Sequence, residues 1–225
     1  MDFPKFIHLI SSAQMFFTRA DKFADLWEGA NSRFTLGLRP QMYLDLSPES
    51  RISIFAQMAA LKNQMRRETF INCWHENSFE SAAMWDLYSR DGNGLAVRTT
   101  FSRLQQSLAS TPFSIFAGRV TYLDYTSEPV PEYNTMLPFF CKRSSFAHER
   151  EARLLVQDGT EPNVIETPEE KHGLVAPVDL GRLIEAVYVA PKSALWIRDT
   201  VEIMVKKFGL NIPVKQSNMD SDPVF

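Results

Sequence analysis

Residues 146–156 read FAHEREARLLV, two glutamates on either side of one arginine, directly ahead of an apolar run. Such a pair does chemistry only if its carboxylates converge. On a strand, alternate residues share a face, so Glu149, Glu151 and Arg153 stand on one side, about 6.6 Å apart per two residues. On a helix, residues two apart diverge and the pair is lost. The apolar continuation Leu154, Leu155, Val156 predicts a strand that starts near Glu149. Two like charges on one face raise each other's pKa, and a neighbouring guanidinium lowers it. A cluster of this kind can hold a sugar hydroxyl and stabilise an oxocarbenium-like transition state. It can equally be a salt-bridge network, because Lys142, Arg143, Arg150 and Arg153 lie close enough in sequence to neutralise both acids.

A second constellation is CWHENSFESAAMWDLY, residues 73–88. It brings His75, Glu76, Glu80, Trp85 and Tyr88 into one strand–helix unit. Packed near the glutamate strand, these rings and acids would form the kind of mixed cleft that small molecules require. The plainer reading makes Met84, Trp85 and Leu87 core residues, lets Tyr88 bond a backbone group and lets His75 cap a loop. A histidine with no partner at i+4 is poor support for a metal, and Asp21, Asp25 and Glu28 lack calcium-loop spacing. Cys73 and Cys141 match no zinc or redox spacing. No glycine-rich phosphate loop, nucleophile elbow or HExxH is present. No metal is expected.

The elements that must position these residues are legible to different degrees. The clearest is a helix from Ser47 to Arg67, with Ser47 as N-cap, Pro48 and Glu49 in the first turn and Arg66 and Arg67 at its end. Its apolar positions are Ile52, Phe55, Ala59 and Met65. Further helices are expected at residues 2–12, from Asn77 or Ser78 to Gly92 or Gly94, from Ser102, over MLPFFCKRSSFAHE and from Ser193 to Gly209. In the last, Leu195, Val201, Met204, Val205 and Phe208 should form the buried stripe. Strands are expected at 15–18, 70–74, 94–101, 118–125, 151–157, 173–179, 185–191 and 212–217. Residues 157–173 read as a polar lobe, and the C-terminal tail is acidic. The irregular mixture predicts a single α+β domain, residues 1–225, with a mixed central sheet flanked by helices.

Composition narrows the function classes. The 225 residues are 44% hydrophobic with a net charge of −3, which supports one sizeable core and speaks against nucleic-acid binding. No apolar run is long enough to span a membrane, and residues 1–14 lack a secretory pattern. A reduced cytoplasm is the expected setting.

Several segments together resemble the bacterial domain of unknown function numbered 2971: ADKFADLWEG, FINCWHENSFESAAMWDLYS, KRSSFAHEREARLLV, AVYVAPKSALWIRD and QSNMDSDPVF. That resemblance implies a bacterial cytoplasmic domain and carries no activity. EREARLLV is also similar to the element of ADP-ribosyltransferases in which a Glu-x-Glu pattern opens a strand. The similarity implies NAD as substrate, Glu151 as the catalytic carboxylate, Glu149 as its activating neighbour and a nucleotide ligand. Arg19 would be a phosphate contact and Trp85 and Tyr88 a stacking wall, with His75 and Arg153 beside them. The opening arginine or histidine of that fold has only Arg19 and His8 as candidates, and no Ser-Thr-Ser element is visible. The competing expectation is a non-catalytic interaction or sensing domain of a toxin or defence system, its protein partner engaged through residues 157–173.

Overall fold

The computed structural model describes residues 1–89, 92–157 and 172–221. The fold is α+β, with 41% helix and 22% strand. In chain order the elements are α1 (Phe3–Ser12), β1 (Gln14–Arg19), α2 (Arg33–Met42), α3 (Pro48–Glu68), β2 (Thr69–His75), α4 (Ala82–Tyr88), β3 (Leu95–Arg98) and α5 (Phe101–Ser107). There follow β4 (Phe116–Arg119), β5 (Thr121–Leu123), β6 (Cys141–Arg143), β7 (Glu151–Gln157), β8 (Gly173–Pro177), α6 (Leu180–Leu183), β9 (Ala186–Val189), α7 (Leu195–Lys207) and β10 (Val214–Gln216). The expected polar lobe lies almost wholly outside the described residues, as does the end of the acidic tail.

The chain gathers into two compact units, each made of separate segments. One comprises Met1–Phe16, Asn77–Phe113 and Val175–Phe225. Its sheet runs β10-β9-β3, parallel in the first pair and antiparallel in the second. Leu95, Val187 and Val189 on that sheet are buried, as are Ile197, Val201 and Val205 of α7. These three follow i, i+4, i+8, the spacing that keeps one helix face turned inward. Leu195 and Phe208 are exposed, so the stripe lies one step round the helix from the expected one. Ser193 does not cap α7. The N-cap is Ala194, with no side-chain bond, and Ser193 Oγ donates instead to the Gly92 carbonyl. Nor does Asn77 or Ser78 cap α4, since Ser81 accepts from Met84 N. Leu87 is exposed and Met84 half-buried, so neither is core.

The other unit comprises Phe17–Glu76 and Ser114–Leu174. At its centre β7 pairs antiparallel with both β2 and β4, and β2 pairs antiparallel with β1. One sheet face presents Ile71 and Leu155, which pack with Ala20 and Phe139 into a core closed by Phe23, Met65, Met136 and Phe140. The loop before α2 fits only because of Gly29. Its φ is +66°, a conformation natural to glycine, and a Cβ there would stand 2.2 Å from the Phe139 ring.

Three expectations change in this unit, and one helix forms where none was expected. α2 was not signalled in the sequence, because Gly37 and Pro40 look like breakers. It forms from the Ser32 cap, whose Oγ accepts from Thr35 N, while Val130 N donates to Thr35 Oγ1 at 2.8 Å. The segment expected as one strand over 118–125 is two, β4 and β5, broken at Val120 where its N–H donates to Glu151 O. The helix expected over MLPFFCKRSSFAHE is two 3-10 turns, Leu137–Phe140 and Ser144–Glu149, separated by β6. Parallel pairing of β6 with β5 overrides local helix propensity there. α3 forms with the expected Ser47 cap but buries no residue, and Ile52 and Ala59 of its expected apolar stripe face solvent.

Candidate functional site

Five charged side chains meet on the Arg153 face of the central sheet. Glu151 is the first residue of β7 and Arg153 stands two residues on, so both point to one side. Register places Glu151 opposite His75 and Arg153 opposite Cys73. The guanidinium of Arg153 is fully buried. Its Nη1 and Nη2 fork onto the Glu28 carboxylate at 2.5 and 3.0 Å, Nη1 also donates to Phe139 O at 2.6 Å, and Nε donates to Glu151 Oε2 at 2.6 Å. This bidentate geometry suits arginine in a buried site.

Lys142 reaches in from β6. Its Nζ donates to Glu151 Oε1 at 2.5 Å and to Glu149 Oε2, and it lies over the Phe146 ring, 4.7 Å from the centroid. Three carboxyls therefore face two fixed cations.

Glu149 arrives by a different route from the expected one. The strand does not start there. Glu149 ends a 3-10 turn, and Arg150 takes a left-handed φ of 42° before the strand opens at Glu151. That reversal, not strand alternation, lets both glutamates reach one lysine. Two further contacts fix the corner. The Glu151 N–H donates to Tyr122 Oη at 2.8 Å, and His75 Nδ1 lies 2.6 Å from Glu149 O. Because a carbonyl only accepts, Nδ1 is the donor in this contact, and Nε2 has no partner among the described residues.

The two glutamates are driven apart in proton affinity. Burial raises the Glu149 pKa, and a hydrogen bond to Glu151 raises it further against the pull of Lys142. Burial also acts to raise Glu151, but the hydrogen bond from Glu149, the Arg153 charge and the bond from Lys142 outweigh it and leave Glu151 well below the usual carboxylate range. Lys142 is held above its ordinary value, since both glutamates overcome its desolvation. Glu28 is raised, because burial exceeds the attraction of Arg153. Of the two, Glu149 has the higher proton affinity and Glu151 the lower. Paired carboxyls with separated pKa values are how one site supplies both an acid and a fixed negative charge.

Arg19 pairs with Phe70, one residue out of phase with Ile71, and so stands on the opposite sheet face from Arg153. Its Nε and Nη2 donate to Asp21 at 2.6 and 3.0 Å. Trp85 and Tyr88 belong to the other unit, where Trp85 Nε1 donates to Glu80 and Tyr88 is exposed. Glu28, Lys142 and Tyr122 complete the cluster without having been expected as site residues. A lone Glu in a polar loop carries no sequence signal for this placement, and Lys142, legible only as a charge partner for the acids, lies in a segment that reads as helix. Among the described residues, no group of three or more His, Cys, Asp or Glu could hold a metal ion, and no helix is long and apolar enough to cross a membrane.

No family model matches the chain, and neither a curated protein nor a solved structure does.

Proposed function

We propose that the Glu149–Glu151 cluster breaks an N-glycosidic bond in the manner of an ADP-ribosyltransferase, with NAD as the ribosyl donor. One observation carries the reading: two glutamates of opposed proton affinity meet on one lysine, and the anionic one opens a strand. In the reaction, the bond from ribose C1′ to the nicotinamide nitrogen breaks and its electron pair discharges the pyridinium. C1′ becomes oxocarbenium-like, the charge that a fixed anion such as Glu151 stabilises. The new bond forms to an oxygen or nitrogen of water or an acceptor. The proton released goes to Glu149 in its ionised form, for which raised proton affinity is an advantage. The likeness to the bacterial domain numbered 2971 and the cytoplasmic setting belong to the same proposal and rest on the quoted segments alone.

The test measures NAD binding and nicotinamide release for wild type and Glu151→Gln. The expected loss in rate is about 10²–10³-fold, the usual effect of removing one preorganised electrostatic group. A wild-type protein that neither binds NAD nor releases nicotinamide overturns the proposal.

A second reading has its own observation: both Glu151 oxygens are taken by buried donors, Oε1 by Lys142 and Oε2 by Arg153. There the cluster is a tie that fixes β6, β7 and the Glu28 loop, and the protein is an interaction or sensing domain of a toxin or defence system. Loss of stability in Glu151→Gln, with no turnover in wild type, selects this reading.

A further inference from the structure

α3 is 21 residues long, about 31 Å at 1.5 Å per residue, and it buries none of them. At 100° per residue its half-buried positions, Ile54, Phe55, Met58, Lys62, Met65 and Arg66, form one side. The opposite ridge is Glu49, Ile52, Ala56, Ala60, Asn63 and Arg67, and all six are exposed, Ile52 at 71%. Three features of this ridge belong together. Its ends carry opposite charge, Glu49 in the first turn and Arg67 in the last. Its middle holds two alanines, which let another backbone come close. Its one large apolar side chain is Ile52, which stays mostly in solvent.

We infer that this ridge is the contact between two copies of the chain, paired antiparallel through α3 about a two-fold axis level with Met58. A two-fold contact presents the same surface on both sides, so a ridge must complement its own inverted image. Inversion about Met58 sets Glu49 against Arg67 of the second copy, and by symmetry Arg67 against Glu49. It sets Ala56 against Ala60, and it lays Ile52 on the shoulder made by Ala60 and Asn63. Antiparallel alignment also brings each helix's positive N-terminal end to the other's negative C-terminal end. A parallel pair would place Glu49 on Glu49 and Arg67 on Arg67, so the charges select the direction.

The experiment is sedimentation of the full chain over a concentration series, at low and high salt. Wild type should be a weak dimer that loosens with salt, because exposed ion pairs are screened. Arg67→Glu converts two attractive pairs into two repulsive ones and should raise the dissociation constant by about ten-fold or more. Glu49→Arg together with Arg67→Glu restores both pairs and should return the constant to near the wild-type value. Ala60→Arg blocks the crossing point and should abolish the dimer, with unchanged circular dichroism showing that the chain is still folded. A wild type that stays monomeric at every concentration overturns the inference. So does a double variant no tighter than Arg67→Glu, and so does a dimer indifferent to Ala60→Arg, which uses another surface.

Discussion

Arg153→Met tests whether the buried ions hold the central sheet together. The substitution keeps an unbranched side chain of similar reach but deletes four donated hydrogen bonds, two to Glu28, one to Glu151 and one to Phe139 O. Glu151 keeps Lys142. Glu28 keeps nothing comparable, and its side chain is fully buried. Breaking a buried pair from one side costs about 3–5 kcal/mol, most of it from the charge left behind. For a chain of this size that corresponds to a fall in Tm of about 6–20 °C. If the stranded charge is the cause, removing it should restore stability. Glu28→Leu in the Arg153→Met background should recover most of the loss, since an apolar pair of similar volume often matches a buried ion pair. Urea denaturation of wild type, both single variants and the double variant gives the coupling directly. A loss below about 1 kcal/mol for Arg153→Met, or a double variant less stable than either single one, refutes the reasoning.

Other consequences are more local. Gly29→Ala should destabilise by more than about 1 kcal/mol from its left-handed backbone alone, with displacement of the Phe139 ring added; a melting temperature equal to wild type would show that the loop relaxes freely. Thr35→Val leaves the Val130 N–H without its buried acceptor and should cost about 1–3 kcal/mol by denaturant titration. The pH dependence follows from opposed shifts. Glu151 is depressed in the fold, so its contribution is present above the ordinary glutamate pKa of about 4.3 and lost as pH falls towards the folded value. Glu28 and Glu149 are raised, so each favours the fold as pH falls through its window above the ordinary value. Glu151→Gln should therefore have a shallower acid limb in stability against pH than wild type, and an identical limb would show that Glu151 is not the depressed group.

What the sequence revealed depended on how local the determinant was. Ser47, Pro48 and Glu49 announce α3 because a helix N-terminus is specified by adjacent residues. Glu151 and Arg153 announce a shared face because strand alternation is equally local. Lys142 was legible as a partner for the acids, but its strand was not. MLPFFCKRSSFAHE has helical composition, and only the pairing of β6 with β5 makes residues 141–143 extended. Glu28 was not legible at all, for it reaches Arg153 across 125 residues of chain. Glu149 was placed by the right spacing for the wrong reason, since the left-handed Arg150 rather than the pleat brings it to Lys142.

The chemistry proposed at the edge of the cluster cannot be separated from the structure beneath it. A carboxyl buried like Glu151 would be pushed up by desolvation and stand neutral, useless as a fixed anion. It is held anionic by the hydrogen bond from Glu149 and by the charge of Arg153 beside it, and burial of that guanidinium is tolerable because Glu28 takes its other side. Glu28 contributes to this arrangement at a cost to itself, as its raised pKa records. The chain of charges therefore runs from a dry interior pair outward to Lys142 and Glu149 at the edge. The interior end helps to hold the charge of Glu151, and the outer end carries a carboxyl of raised proton affinity. A purely structural tie needs only the first half of that arrangement, and the raised affinity of Glu149 is what the proposed catalysis would draw on.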